Sequence, residues 1–434
     1  MLNLDNFYKA RYELAKVIRK TDVVHAPLVN PEAEVYLKLE CLQRTGSFKV
    51  RGACYKISQL TEEEKSHGVI ACSAGNHAQG VALGATAHGI KSLICLPAGA
   101  PISKVEATKG YGADVCLVPG VYDDAYAKAI ELRDEKGYTF VHPFDDENVI
   151  AGQGTIGLEI LEQVDDIDAV VVPIGGGGLI SGVAFALKSL NPKIKVYGVQ
   201  AAGAASMVES LNKHERLCLP SVSTIADGIC VKEPGVLTYD ACCKYVDDVV
   251  TVTEDEICAA ILQLLEKEKV VAEGAGATGV AAVMFNKVPV KGKKVVCIVS
   301  GDFIIRRSDG VFAYQLAVVV DDGLSGVTEV VRGHDLIGST PRQIWLYELF
   351  GFTPPNFIHI PLLCDHDGRR LSKRDEDLDL GLLREKFTPE QVIGALACAA
   401  GLTDTAEPVS AKELVKAFSW EKIPKHELYL PNVF

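Results

Sequence analysis

The sequence predicts an α/β fold in which parallel sheets are covered by helices on both faces. Short runs rich in valine and isoleucine alternate with helical patterns as far as Ser300; these runs span 68–72, 92–97, 114–118, 168–174, 195–199, 248–252 and 294–299. Strands that alternate with helices pair in parallel, and such sheets are buried on both faces. With 434 residues and 48% hydrophobic content, the chain can form more than one domain with large cores.

Lys49 is a candidate covalent catalyst within the segment Leu39 to Gly52, where Ser47, Phe48 and Gly52 surround it. A lysine amine is nucleophilic at neutral pH only if desolvation or a neighbouring cation lowers its pKa, and its usual product is a Schiff base. The alternative is a solvated lysine at a junction between a strand and a helix. Other motifs are therefore needed to decide between the two interpretations.

A glycine run follows the strand predicted at 168–174 and precedes a helical pattern from Ile180 to Leu190. Backbone N–H groups of such a run can close around a phosphate, and the helix dipole favours the anion. A flexible glycine linker is disfavoured because the flanking segments are apolar and regular. The predicted phosphate-binding residues are Gly175, Gly176, Gly177, Gly178 and Leu179.

Two further strand ends carry polar groups. The run 68–72 is followed by Ser73, Ala74, Gly75, Asn76 and His77, at which a helix begins. Free N–H groups at a helix start suit a carboxylate, and an asparagine can bond a phenolic oxygen, although an ordinary helix cap has the same pattern. The run 294–299 ends at Ser300, whose hydroxyl can meet a heterocyclic nitrogen, because ligands bind at the carboxyl ends of strands.

Together with 226–228 and 271–276, these segments resemble the fold-type II enzymes of pyridoxal 5'-phosphate, within them the threonine dehydratase and serine racemase group. The resemblance covers residues 1–301 and implies two parallel-sheet α/β subdomains, the smaller spanning roughly 45–148. It implies that Lys49 carries the cofactor as a Schiff base, that Phe48 packs on the pyridine ring and that Asn76 bonds the 3'-oxygen. The glycine run would hold the phosphate, Ser300 would meet the ring nitrogen, the backbone of Gly228 would line the cofactor's edge, and residues 73–77 would bind the substrate carboxylate.

Two departures from the racemases favour dehydration. A racemase of this group has a second serine, acting as a base, where this chain has Ala74, and it has acidic metal ligands where this chain has 200–206 without a carboxylate. We therefore expect no metal site. The expected reaction converts L-threonine to 2-oxobutanoate and ammonia, with the freed Lys49 amine as the Cα base and L-serine as a poorer substrate. A dehydratase of serine or another 3-hydroxy amino acid, or a racemase, is the alternative.

The stretch 274–279 matches the G-x-G-x-x-G pattern of dinucleotide sites. Such a site needs an acidic residue about 20 positions further on, yet 280–300 contains no Asp or Glu. We interpret the pattern as a helix start near the cofactor.

From Asp302 onward the chain follows another pattern, carried by the segments 303–322, 326–333, 339–344 and 370–374. These segments resemble the class I glutamyl-tRNA synthetases and their truncated glutamyl-queuosine tRNA(Asp) relatives. Tyr314 and Arg332 would contact glutamate, and Lys373 would neutralise ATP phosphates. No His-x-Gly-His signature occurs in the chain, and 302–434 holds 14 Lys and Arg against 20 Asp and Glu. We therefore interpret 302–434 as a partial synthetase-like segment that folds poorly and does not bind tRNA. A tRNA-modifying ligase and an inactive fusion are the alternatives, and Asp302 would place a carboxylate near the ring nitrogen.

Composition limits partners and location. The net charge of −13 argues against a nucleic-acid surface, and the 13 cysteines show no zinc-type spacing, which favours reduced thiols. The first residues lack a signal peptide pattern, and no apolar run reaches membrane length. We expect a cytoplasmic homodimer or homotetramer that acts on a small amino acid.

Overall fold

The computed structural model describes residues 2–100, 102–301, 314–364, 383–384 and 386–429. The chain divides into two compact units, Met1–Ala317 and Val318–Phe434. The helices are α1 Leu4–Leu14, α2 Lys49–Ser58, α3 Glu62–His67, α4 Asn76–Ala87, α5 Ile102–Gly110, α6 Tyr122–Lys136, α7 Glu147–Gln163, α8 Gly178–Leu190, α9 Ser206–Lys213, α10 Val236–Tyr245, α11 Glu254–Gln263, α12 Gly274–Met284, α13 Tyr314–Ser325, α14 Thr340–Leu349, α15 Pro389–Ala399 and α16 Ala411–Ala417. The strands are β1 Val23–His25, β2 Glu34–Leu39, β3 Val69–Cys72, β4 Ser92–Pro97, β5 Asp114–Val118, β6 Thr139–Phe140, β7 Ala169–Pro173, β8 Lys195–Ala201, β9 Asp248–Val252, β10 Lys294–Val299, β11 Glu329–Gly333, β12 Asn356–Ile360, β13 Leu363–Cys364 and β14 Leu428–Tyr429.

The larger sheet of the first unit has six strands in the order β1-β2-β10-β7-β8-β9. All neighbours are parallel except β1 and β2, which are antiparallel. Strands β7 and β10 are buried almost throughout and carry valine and isoleucine on both faces. Helices α7 and α8 pack against this sheet through a core that includes Ile156, Val172, Ile180 and Ile298. In this sheet the apolar runs at 168–174, 195–199 and 294–299 become internal strands, and the run at 248–252 becomes the edge strand β9.

A second, four-stranded parallel sheet has the order β5-β4-β3-β6. Helices α2 and α4 share one hydrophobic core with this sheet. In a second hydrophobic core, α6 packs over Cys72 and Cys95. These cysteines and Cys297 are buried free thiols, and burial raises the pKa of each to about 12. Thiols in this environment stay protonated, as expected for reduced, inert cysteines.

The seven strands predicted from the valine-rich runs are all present, and the prediction of parallel sheets is confirmed. Strands β1, β2 and β6 were not predicted. The four strands of the smaller sheet fall between residues 69 and 140, but the boundaries of 45–148 for the small subdomain and of 301 for the whole domain stay predictions.

A buried ion network fixes the start of α2. The Arg51 guanidinium donates to Glu40 at 2.8 Å and to Glu159 at 2.6 Å, and the Lys38 ammonium also donates to Glu159. The side chains of Arg51, Lys38 and Glu40 are fully buried, so their charges are stable only while they are paired. Because Arg51 lies two residues after Lys49, the network holds the backbone of Lys49 against β2 and α7.

The second unit contains two small parallel sheets, β11 with β12 and β13 with β14. Tyr314 begins α13, but its side chain and Lys373 lie outside the described residues. Among the described helices, none is both long and apolar enough to cross a bilayer.

Candidate active site

A cavity of about 990 Å³ lies in the first unit, at the carboxyl ends of β3, β7 and β10. It brings together motifs that are far apart in the sequence. The residues predicted for cofactor and substrate all line it: Phe48, Lys49, Ser73, Ala74, Gly75, Asn76, His77, Gly175, Gly176, Gly177, Gly178, Leu179, Gly228 and Ser300. Cavities at this edge of parallel sheets are the usual ligand sites of α/β proteins.

Lys49 is the first residue of α2, and its side chain extends into the cavity. Its Nζ atom donates to the Pro143 carbonyl oxygen at 2.9 Å and lies 5.6 Å from the centre of the Phe48 ring. Burial lowers the pKa of Lys49 to about 8, although the nearby Glu273 carboxylate acts in the opposite direction. Lys49 is therefore a desolvated amine with a substantial neutral fraction near pH 8, which is the state that the predicted nucleophile needs.

The glycine run forms a cradle at the start of α8. A Cβ atom on Gly176 would lie 2.4 Å from the Phe144 ring, and one on Gly177, which has φ +98°, would lie 2.7 Å from Thr238. The Thr238 hydroxyl donates to the Gly176 carbonyl at 2.6 Å, which fixes the turn. Among the described residues, the N–H groups of Gly175, Gly176 and Gly177 donate to no acceptor. This arrangement fits a phosphate, since these donors and the N-terminus of α8 remain for the anion.

Ser300 follows β10 and is buried, and its hydroxyl has no hydrogen-bond partner among the described residues. A buried polar group without a partner is costly, which indicates that a ligand supplies one. A Cβ atom on Gly276 would come within 1.7 Å of the Ser300 carbonyl oxygen, so the start of α12 packs directly on this residue. The interpretation of 274–279 as a helix start is confirmed, because α12 begins at Gly274, and Ala275 and Gly276 line the cavity.

Glu273 is a cavity residue to which the sequence argument gave no role. Its Oε1 atom accepts a hydrogen bond from Asn76 Nδ2 at 3.0 Å. Cβ atoms on Gly228 and Gly301 would lie within 2.9 Å of its side chain, which explains the glycines at both positions. Glu273 therefore joins the start of α4 to the start of α12 around the predicted position of the ring. The only feature of the sequence that could have identified Glu273 is its position as a carboxylate directly before the small residues of α12.

The segment 73–77 follows β3, includes the first residues of α4 and lines the cavity. The Gly75 N–H group donates to the Ser73 hydroxyl, and the His77 Nε2 atom lies 2.8 Å from the Val141 carbonyl oxygen. Burial lowers the pKa of His77 to about 3, with Lys49 contributing, so its ring is neutral and Nε2–H is the donor. Ala74 is half-buried in the cavity wall and offers no group that could move a proton.

In the second unit, Arg332 is engaged by its own neighbours. Its guanidinium donates to Gln343 at 2.6 Å and to Thr340 at 2.7 Å, and it lies 4.7 Å from the centre of the Phe357 ring. A glutamate at this arginine, as the synthetase resemblance implied, stays a prediction.

The fold, the lysine and the phosphate cradle define a cofactor enzyme, and the chain belongs to the pyridoxal-phosphate dependent enzymes, whose family model matches residues 14–301. Its cofactor is pyridoxal phosphate, and the cradle and the buried Ser300 hydroxyl fit that group. A second model, of the catalytic domain of class I tRNA synthetases (E and Q), matches residues 285–429. The two matches overlap over 285–301, which includes β10.

The L-threonine ammonia-lyase of Thermotoga maritima is 52% identical over 303 residues, which make up 69% of this chain and 75% of that protein. Among solved structures, maize serine racemase has a TM-score of 0.70 at 35% identity and covers 75% of this chain and 98% of its own. The processed form of threonine deaminase isoform 2 from Solanum lycopersicum has a TM-score of 0.65 at 38% identity, covering 69% of this chain and 90% of its own.

Proposed function

We propose that this chain is a threonine ammonia-lyase, a carbon–nitrogen lyase that converts L-threonine to 2-oxobutanoate and ammonia, with L-serine as a poorer substrate. The 52% identity to the Thermotoga enzyme carries the proposal. The desolvated amine of Lys49 in the same cavity as the glycine cradle supports it.

The residues divide the chemistry as follows. When bound, pyridoxal phosphate supplies an electron sink for the electron pair left at Cα. The Lys49 amine would hold the cofactor covalently, and the free amine would take the Cα proton of the substrate. The N–H groups at the start of α4 bind the substrate carboxylate and orient the Cα–H bond. Loss of the β-hydroxyl as water, followed by hydrolysis, gives the oxo acid and ammonia.

The test is the release of 2-oxobutanoate from L-threonine by protein purified with pyridoxal phosphate. Lys49→Ala should lower kcat at least about 1000-fold, because it removes both the covalent attachment and the base. The visible absorption of the lysine-bound cofactor should vanish with it. Wild-type protein that binds the cofactor but forms no 2-oxobutanoate would refute the proposal.

Racemisation is the second candidate because two serine racemases and an aspartate racemase are among the structural relatives. Ala74 argues against it, since a two-base racemisation needs a proton-transfer group on the face opposite Lys49. We expect no D-serine or D-threonine in the same assay, measured by chiral chromatography. Ala74→Ser is the informative variant: appearance of the D-isomer would support this reading of the position.

For the second unit we propose no catalytic activity. The expected result is no glutamate-dependent exchange of pyrophosphate into ATP and no retention of tRNA. Cytoplasmic location and assembly into dimers or tetramers also stay proposals, to be checked by fractionation and by light scattering.

A further inference from the structure

Two ion pairs cross the mouth of the cavity between its two walls. Lys104 on α5 lies 3.0 Å from Asp227, which begins the short turn before Gly228, and Lys232 lies 3.9 Å from Asp123 at the start of α6. All four side chains line the cavity. Each pair joins the smaller sheet's helices to the segment 227–232 of the larger wall.

Lys104 differs from the other three because it also reaches the 73–77 loop. A Cβ atom built on Gly75 would lie 3.9 Å from the Lys104 Nζ atom. The ammonium group therefore lies beside Gly75, which directly precedes α4. An anion on this loop would meet the helix N-terminus from one side and the Lys104 charge from the other.

The ion pair between Lys104 and Asp227 is weak enough for an anionic ligand to replace Asp227 as the partner of Lys104. The Lys104 side chain is 32% exposed and that of Asp227 is 64% exposed, so water screens the pair and it contributes little to stability. A substrate carboxylate inside the cavity is less screened and also receives the backbone donors. Exchange of Asp227 for the substrate carboxylate is therefore favourable.

We propose that Lys104 is a specificity residue that binds the α-carboxylate of the amino-acid substrate, and that Asp227 holds it at the cavity mouth until the substrate arrives. The inference rests on the proposed function only in taking an amino acid as the substrate. It assigns a role to two residues that lie 123 positions apart in the chain.

The test compares ligands with and without a carboxylate on the cofactor-loaded enzyme. L-alanine and L-alaninamide both carry the amine but lack a β-hydroxyl, so calorimetric titration measures their binding without elimination. Lys104→Met should weaken L-alanine binding about 10- to 100-fold, as for loss of a charged hydrogen bond, and change L-alaninamide binding less than about threefold. The KM for L-threonine should rise by a similar factor while kcat changes much less.

Three further variants separate binding from structure. Lys104→Arg keeps the charge and should retain most of the preference for L-alanine. Asp227→Asn should tighten L-alanine binding several-fold, because Lys104 loses its competing partner. Lys109→Met, which removes an exposed ion pair on the same helix, is the matched control and should change neither ligand.

The inference would be overturned if Lys104→Met weakened the binding of L-alanine and of L-alaninamide equally. It would also be overturned if Asp227→Asn weakened L-alanine binding, because the ion pair would then only stabilise the structure. If Lys104→Met does not fold, Asp227→Asn still separates the two roles: tighter L-alanine binding supports carboxylate binding by Lys104, and weaker binding supports a purely structural ion pair. Lys104→Arg should retain most of the preference for L-alanine only if Lys104 binds the carboxylate. Because the alanine ligands are not turned over, loss of threonine elimination with intact discrimination would refute the proposed function alone.

Discussion

Lys49 gains its reactivity from burial rather than from a neighbouring cation. Desolvation lowers its pKa to about 8, and the nearest charged influence, Glu273, opposes that change. The sequence suggested both physical routes, and the structure selects the first. The Pro143 carbonyl, 2.9 Å from Nζ, orients the amine without adding charge. A neutral amine at this position can attack an aldehyde carbon and later accept a proton.

The pKa of Lys49 predicts how the apo-protein captures its cofactor. Only the neutral amine reacts, so the capture rate should rise about tenfold per pH unit below pH 8 and level off above it. Stopped-flow absorbance after mixing with pyridoxal phosphate measures this profile. Glu273→Gln should move the plateau to lower pH, since the carboxylate raises the Lys49 pKa. A profile that keeps rising to pH 10 would contradict a desolvated lysine.

At the level of elements, three strand ends build the site: the junctions of β3 with α4 and of β7 with α8, and the end of β10 at Ser300. In each, an apolar strand ends in small residues that bring the backbone close to the cavity. The glycine cradle shows how strictly this close approach limits the residue type. Phe144 and Thr238 leave no room for a side chain at Gly176 or Gly177. Small residues at these positions therefore allow the backbone to approach a ligand and allow neighbouring side chains to pack closely.

Gly176→Ala should therefore weaken pyridoxal phosphate binding about 10- to 100-fold, because the new methyl group must displace the Phe144 ring or the phosphate donors. Equilibrium dialysis of the cofactor measures the change. Gly279→Ala is the control, since its Cβ would meet only ordinary contacts, the nearest at 3.5 Å, in the middle of α12. Similar losses in both variants would show that the cradle has no special role.

Local patterns in the sequence predicted the strand ends that build the site. They did not predict the contacts between residues that are far apart in the chain. The valine-rich runs predicted seven strands, and the motifs at the strand ends predicted part of the cavity lining. Strand β2 was missed although Glu34 to Leu39 alternates in part, and β6 is only two residues long. Glu273 and Lys104 acquire their roles from partners 197 and 123 positions away, and no local pattern encodes such pairs.

The whole molecule joins a large, densely buried unit to a smaller one. In the second unit, large apolar side chains remain exposed: Leu324 is 74% exposed, Val415 76% and Trp420 50%. Within its described residues each sheet has two strands, and an isolated two-stranded sheet buries too little to be stable alone. The two units should therefore differ in stability.

Limited proteolysis should degrade residues 318–434 before residues 1–317, because local stability follows the burial of apolar contacts. Mass spectrometry of the digest over time identifies the surviving fragment. The cofactor-loaded protein should protect the first unit further while leaving the second unchanged, since bound ligand stabilises only the part that holds it. Equal resistance of the two units would contradict the expectation that the synthetase-like segment folds poorly.

Strand β10 lies inside the six-stranded sheet, between β2 and β7. The carboxyl end of β10 therefore reaches the cavity, where Ser300 lines the wall and Gly301 follows it directly. A change in sequence immediately after Gly301 begins only one residue from that wall. Replacing the residues that follow Gly301 should shift the absorption spectrum of the bound cofactor before it changes the melting temperature of the sheet.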